Sequence, residues 1–278
     1  MVHELIQHSK QGSPVVGIAA NFLRLPARGQ KPRARGLSHV LDNGISPSET
    51  RDRLEAAART IDLWKFGWGI AYLDPHLSEK VRLLTDHQVL ACPGGTLAEV
   101  AWRQGQYAAF LDWAEAAGFP AIEVSNGTVT MSRTEKDDLI GTAAERFVVL
   151  AEVGRKDPAL ELAPEEWSTH ARADIAAGAT WVVAEGRESG TVGLFTPDGQ
   201  ARADVVEAIV ASIGLPRVLF EAPQRAQQAW LIRRFGPEVN LGNIALSDAL
   251  ALETLRLGLR ADTLDASFAY DPTRQAER

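Results

Sequence analysis

Eight short apolar runs, each stopped by Gly, Pro or a polar residue and each followed by a stretch with helical signals, constrain this chain more than any other feature. They occupy residues 38–44, 61–67, 89–95, 121–127, 147–154, 181–188, 217–223 and 239–244. Runs that alternate with helices are expected to be parallel strands, with each helical crossover carrying the chain back to the same end of the sheet. The runs read as nearly continuous apolar segments, as expected when helices cover both faces of a sheet. The fold class predicted is therefore α/β, a single-domain (β/α)8 TIM barrel. An open doubly wound sheet is the competing architecture. It usually carries a Gly-rich dinucleotide fingerprint after its first strand, which Asp42-Asn-Gly-Ile45 does not supply.

Helix signals fall where a barrel needs them. Ser46-Pro-Ser-Glu49 and Ser132-Arg-Thr-Glu135 are capping boxes, the first with Pro at the opening helical position. Pro164 opens another helix that should stop near Gly178. Ser247 is expected to cap the last helix, with Leu250, Leu252, Leu255 and Leu259 burying against the barrel. No linker breaks the alternation, so residues 21–264 are read as one barrel, 1–20 as a short N-terminal extension and 265–278 as a polar tail.

The bulk properties exclude several classes. A net charge of −7 argues against a nucleic-acid partner, which would call for a basic surface. A single cysteine, Cys92, rules out an internal disulfide and a thiolate metal cluster, and suits a reducing cytoplasm. No apolar stretch approaches the roughly 20 residues needed to cross a bilayer, so no membrane association is expected. The start lacks a basic region followed by an apolar core, so a secretory signal is not expected either.

If the runs are parallel strands of one barrel, the groups at their C-terminal ends converge on one face, where barrel enzymes place their chemistry. Those groups are Asp42, Lys65, Glu123, Glu152, Glu185, Glu221 and Asn243. Two ionised carboxylates about 4 Å apart repel by roughly 4 kcal/mol at an effective dielectric near 20. The glutamates must then be spread, protonated, paired or bridged by a cation. Oxygen-only ligands select Mg2+, with Mn2+ as a substitute, and the ligands would come from Glu123, Glu152, Glu185 and Glu221. The alternative is a structural network with Lys65, Lys156 and Arg187. Lys65, flanked by aromatics and glycines in Trp64-Lys-Phe-Gly-Trp-Gly69, is expected to be desolvated, with a lowered pKa suited to proton transfer. Its other reading is a buried counter-ion.

Arg24, Arg28, Lys31, Arg33 and Arg35 cluster ahead of the first run and can draw in an anionic substrate, or can be plain solvated surface. The Gly-containing loops 93–96 and 186–190 offer backbone amides to an oxyanion, or simply turn tightly into a helix. No Ser-His-Asp arrangement emerges. Trp102, Trp113, Trp167 and Trp230 fall in helical stretches and read as packing.

Taken together, 22–28, Lys31-Pro-Arg33, Lys65-Phe-Gly-Trp-Gly69, Pro93-Gly-Gly-Thr96, Ile122-Glu-Val-Ser-Asn-Gly127, Glu152-Val-Gly154, Glu185-Gly-Arg-Glu-Ser-Gly190, Phe220-Glu-Ala-Pro223 and Asn240-Leu-Gly-Asn243 resemble the phosphosulfolactate synthase family. The resemblance runs in order over roughly residues 21–264. It implies a (β/α)8 barrel and Mg2+-dependent addition of sulfite to phosphoenolpyruvate, giving (2R)-phospho-3-sulfolactate, a step toward coenzyme M in methanogens. It also implies a homo-oligomer, with a trimer as one option. On this basis Lys65, Glu185 and Arg187 are the expected catalytic residues. Arg24, Arg28, Lys31, Arg33, Ser125, Asn126, Lys156, Asn240 and Asn243 are expected to bind substrate. Two rival readings are the same enolate chemistry with another nucleophile, and a non-catalytic, stress-associated barrel.

Overall fold

A computed structural model describes residues 22–154 and 162–265. The proposed N-terminal extension, Lys156 and the tail beyond residue 265 lie outside the described residues. Eight strands form one parallel sheet: β1 Ser38–Asp42, β2 Leu63–Phe66, β3 Leu90–Pro93, β4 Ala121–Val124, β5 Val148–Val153, β6 Trp181–Ala184, β7 Val218–Glu221 and β8 Asn240–Ala245. Their order is β3-β2-β1-β8-β7-β6-β5-β4, so β1 joins β8 and the sheet curls round on itself. β3 and β4 touch without a registered ladder, which leaves the barrel nearly closed.

The helices α1 Pro47–Ala57, α2 Ile70–Leu73, α3 Leu77–Asp86, α4 Gly95–Arg103 and α5 Tyr107–Ala116 fill the first half of the connections. The second half carries α6 Arg133–Ala144, α7 Pro164–Ala177, α8 Ala203–Ile213, α9 Arg225–Phe235 and α10 Ala249–Arg256. Both predicted capping boxes form, with Ser46 and Ser132 accepting from the amides of Glu49 and Glu135 at 3.2 Å each. α7 starts at Pro164, ends at Ala177 and is capped by Gly178, whose φ of 119° is open to glycine without a Cβ penalty.

The last helix departs from expectation. Ser247 lies in a short 3-10 turn, Asp248 precedes α10, and no side chain caps that helix. Leu252 and Leu255 are buried, but Leu250 and Leu259 are exposed. At about 100° per residue, Leu250 and Leu252 point to nearly opposite sides of a helix, so a single apolar face cannot hold both.

The apparently continuous strands alternate in space. Val40, Trp64, Phe66, Ile122, Val149, Val182 and Phe220 face the helices and join the main core. Leu63, Cys92, Ala121, Leu150, Val183 and Leu219 face the axis and fill the barrel with a separate apolar layer. Trp102, Trp113, Trp167 and Trp230 sit in α4, α5, α7 and α9 as packing residues, with Trp167 fully buried.

Candidate active site

Two residues beyond each axial apolar residue, the side chain returns to the axis one layer higher. Leu63, Ala121, Leu150, Val183 and Leu219 are thus followed by Lys65, Glu123, Glu152, Glu185 and Glu221. These five groups are nearly buried and line one cavity of about 210 Å3 at the C-terminal mouth. Asn243 and Arg187 line it as well. Asp42 does not join them. Leu41 pairs with Lys65 and takes the axial position, so Asp42 is one residue out of phase and turns outward. There it binds Lys80 at 2.8 Å and the Trp64 indole at 3.1 Å.

Lys65 organises the floor of the cavity. Its Nζ donates to Glu221 Oε1 at 2.9 Å and lies 3.3 Å from Glu123 Oε2. Burial disfavours the ammonium, but Glu123, Glu221 and Glu152 outweigh it and hold the Lys65 pKa well above that of an ordinary lysine. The expected lowering is therefore reversed, because the charge partners, and not the aromatic neighbours, set the balance. Burial, reinforced by Glu152 and Glu221 and opposed by Lys65, raises the Glu123 carboxyl.

The Gly-containing loops present their amides to the protein's own carboxylates. Gly95 N donates to Glu123 Oε1 at 2.8 Å, and the amides of Gly186 and Arg187 donate to Glu221 Oε2 at 3.1 Å. Arg187 N also reaches Glu185 Oε1 at 2.7 Å. Gly95 has to be glycine for this approach, since a Cβ there would lie 2.6 Å from Ser125 Cβ. Both oxygens of Glu221 are thereby engaged, one by Lys65 and one by the amides. Asn243 Oδ1 is buried without a hydrogen-bond donor, and Glu123 Oε2, ion-paired with Lys65, accepts no hydrogen bond. These two oxygens, with Glu152 and Glu185 beside them, match the hard-donor chemistry of Mg2+. Among the described residues no three His, Cys, Asp or Glu side chains converge as a ready-made ligand set. Mg2+ is commonly held by one or two carboxylates with substrate oxygens and water completing the shell, so the residues fit it.

Ser125 connects the mouth to a residue the sequence did not single out. Its hydroxyl lies 2.7 Å from Glu152 Oε1 and 2.7 Å from Glu99 Oε1. Glu99, on α4, is 1 % exposed and also accepts from Thr128 N at 3.2 Å and from the Thr128 hydroxyl. A serine hydroxyl has one hydrogen to give, so Ser125 bridges the two carboxyls with a single proton. The clue in the sequence was a glutamate inside an otherwise apolar stretch of α4, but its partner could not be read from one helix.

The four non-glycine residues with left-handed backbone are Trp68, Gln88, Arg187 and Asn243, among the described residues. Three of them, Trp68, Arg187 and Asn243, line the mouth cavity. Such conformations cost free energy and cluster at functional sites.

Several expected substrate contacts lie elsewhere. Arg28 pairs with Glu253 at 2.9 Å and Arg33 with Asp62 at 2.9 Å, at the end of the barrel where the strands begin. Lys31 Nζ donates to the carbonyls of Ile61, Ala58 and His87 at 2.6, 2.9 and 3.1 Å. Asn240 starts β8, accepts from Leu37 N at 3.0 Å and donates to Val218 O at 2.9 Å. All four serve the floor opposite the mouth. A basic run just before β1 necessarily sits where strands start. Arg24 is exposed, and Asn126 borders a second cavity of about 160 Å3 with Arg133, Lys136 and His170.

Comparison with known proteins places the chain in a family. A family model described as (2R)-phospho-3-sulfolactate synthase (ComA) matches residues 26–262. The chain belongs to the phosphosulfolactate synthase family. It is 41 % identical over 252 residues to the phosphosulfolactate synthase of Methanothermobacter thermautotrophicus, covering 88 % of this chain and 97 % of the relative. It is 42 % identical over 244 residues to that of Bacillus subtilis, covering 87 % and 97 %. Members of this family are enzymes, and so is this chain. Among solved structures it is similar to a 3-hexulose-6-phosphate synthase, with a TM-score of 0.52, 13 % identity and coverage of 79 % of this chain and 99 % of the other. That likeness supports the barrel alone. No helix among the described residues is long and apolar enough to cross a membrane.

Proposed function

We propose that this enzyme adds sulfite to phosphoenolpyruvate, forming (2R)-phospho-3-sulfolactate. The observation that carries the proposal is Lys65, held protonated between Glu123 and Glu221 at the mouth of a barrel of this family. In the reaction the sulfur lone pair attacks C3 of phosphoenolpyruvate and forms the C–S bond. The C2–C3 π electrons move through C2 into the carboxylate as an enediolate. A proton delivered to one face of C2 then gives the product. Lys65 is the proton donor in this reading, since its ammonium stays charged until a carbanion-like centre is presented to it. Glu221, with its other oxygen tied to the Gly186 and Arg187 amides, fixes the direction of that ammonium. Arg187 faces the same cavity and offers a charged contact for an anionic oxygen of the substrate.

Mg2+, or Mn2+ in its place, is the cofactor of this reading, with Glu123, Glu152 and Glu185 as the residues to hold it. When bound it stabilises the negative charge that builds on the substrate carboxylate. The enzyme is further proposed to be cytoplasmic and to work as a homo-oligomer, with a trimer as the state to test by sedimentation.

Purified protein incubated with phosphoenolpyruvate, sulfite and Mg2+ is expected to consume phosphoenolpyruvate in a sulfite-dependent manner and yield phosphosulfolactate by mass spectrometry. Chelation should stop turnover and Mg2+ should restore it. Consumption of phosphoenolpyruvate without sulfite, or only with another nucleophile, would replace the proposed reaction.

A further inference from the structure

Trp68 is the one aromatic side chain among the described residues that line the mouth cavity. It follows Gly67 directly after β2, three residues beyond Lys65. Its backbone φ is 50°, in the left-handed region that bulky residues avoid. Glycine is the residue that suits such a position, yet a tryptophan occupies it. Burial does not explain the choice, because Trp68 is 44 % exposed. Nor does internal hydrogen bonding: among the described residues its indole N–H has no partner. The surroundings nevertheless fix the loop. A Cβ on Gly94 would lie 3.0 Å from both Trp68 N and Phe66 O, and one on Gly67 would lie 3.1 Å from Asp42 O. Two glycines thus give way so that the Trp68 backbone can sit against the β1 and β3 ends. The strain is imposed by the fold, and 44 % of the side chain still stays open to solvent at the cavity mouth.

We infer that Trp68 is a substrate-contact residue that forms the apolar wall of the mouth, packing its indole face against the planar body of the bound anion and leaving its N–H for one anionic oxygen. This rests on the reaction proposed above. The chemistry asks for such a wall. The other side chains used by the proposal are carboxylates, one lysine and one arginine, which hold the polar ends of a substrate but do not shield a carbanion-like carbon from water. A planar, conjugated enol carboxylate presents a flat face that an indole covers well. Keeping water from that face protects the intermediate from protonation out of turn.

The test separates a wall from a brace, because the two roles give opposite signs. Trp68→Gly relieves the left-handed strain, so the melting temperature should hold or rise. Phosphoenolpyruvate KM should increase about tenfold or more, as contact with the substrate is lost. Trp68→Phe keeps the flat face without the N–H and should fall between the two, with a smaller rise in KM. Phosphoenolpyruvate titrated in the absence of sulfite, by calorimetry, should show the same ranking in affinity. Unchanged KM and affinity in Trp68→Gly would overturn the inference. So would a fall in melting temperature in Trp68→Gly with wild-type affinity in Trp68→Phe and no change in KM, which marks a structural brace. Wild-type protein that neither binds nor turns over phosphoenolpyruvate would overturn the reaction reading and this inference with it. That failure appears in the wild type and the other only in the variants, so the two are told apart.

Discussion

The two ends of this barrel treat buried charge in opposite ways. At the floor, cations meet acceptors they can satisfy. Arg256 is fully buried and donates to the carbonyls of Pro237, Val239 and Leu37 at 2.5, 2.6 and 2.9 Å. Lys31 does the same for three other carbonyls, while Arg28 and Arg33 each hold a carboxylate. At the mouth, Glu123, Glu152, Glu185 and Glu221 surround the single ammonium of Lys65. Charge at the floor is nearly closed on itself, as structure requires. Charge at the mouth is left in excess, and the excess is what a cation or an ammonium acid can use. At the floor neutral carbonyls leave desolvation in command and lower the Lys31 and Arg256 pKa values, whereas at the mouth the surplus carboxylates outweigh it and raise that of Lys65.

The comparison breaks most sharply at Lys65. Lys65→Met should lower turnover by about 10²–10⁴-fold, the range of a lost general acid, while far-ultraviolet circular dichroism stays that of the wild type. Wild-type rates in that variant would move proton transfer to another group. At the floor, Arg256→Met should act on stability instead. It leaves buried carbonyls of Pro237, Val239 and Leu37 without their guanidinium, at a cost of about 2–4 kcal/mol in urea unfolding. Turnover per folded molecule should not change. A drop in turnover without loss of stability would mean that the two ends are coupled.

The smallest effect is in the pH dependence of the floor. Burial lowers the Lys31 pKa from 10.5 to about 8. The unfolded chain therefore holds this proton more tightly than the folded one between those values. Lys31 disfavours folding most below pH 8, and that penalty fades as pH rises toward 10.5. Unfolding free energies of wild type minus Lys31→Met should rise across that window. A difference that stays flat would mean that the three carbonyls, and not burial, govern the titration. Lys65 has the opposite sign, since its raised pKa makes its contribution full below the ordinary lysine value and lost only as pH passes the raised one.

Much of the mouth was legible. Lys65, Glu123, Glu152, Glu185 and Glu221 stand at the ends of five apolar runs, and the barrel brings all five together. A finer signal was present too, since each follows an axial apolar residue by two positions, as in Leu63 to Lys65 and Leu219 to Glu221. That rule also excludes Asp42, which is out of phase with Leu41. Glu99 and Trp68 were harder. The role of Glu99 depends on Ser125 across a turn, and Trp68 is distinguished by its φ, which residue type does not reveal.

The sequence by itself determined the strand count, the parallel order, the capped helices α1 and α6 and the layer of polar strand ends. These follow from period, caps and turns, which act over a few neighbouring residues. Only the tertiary structure decided that Arg28, Lys31 and Arg33 close the floor rather than the mouth, that the Lys65 pKa is raised rather than lowered, and that loop amides donate to glutamates. Each of those depends on groups distant in the chain meeting in a medium of low dielectric, where the nearest charge, and not the nearest neighbour in sequence, sets the energy.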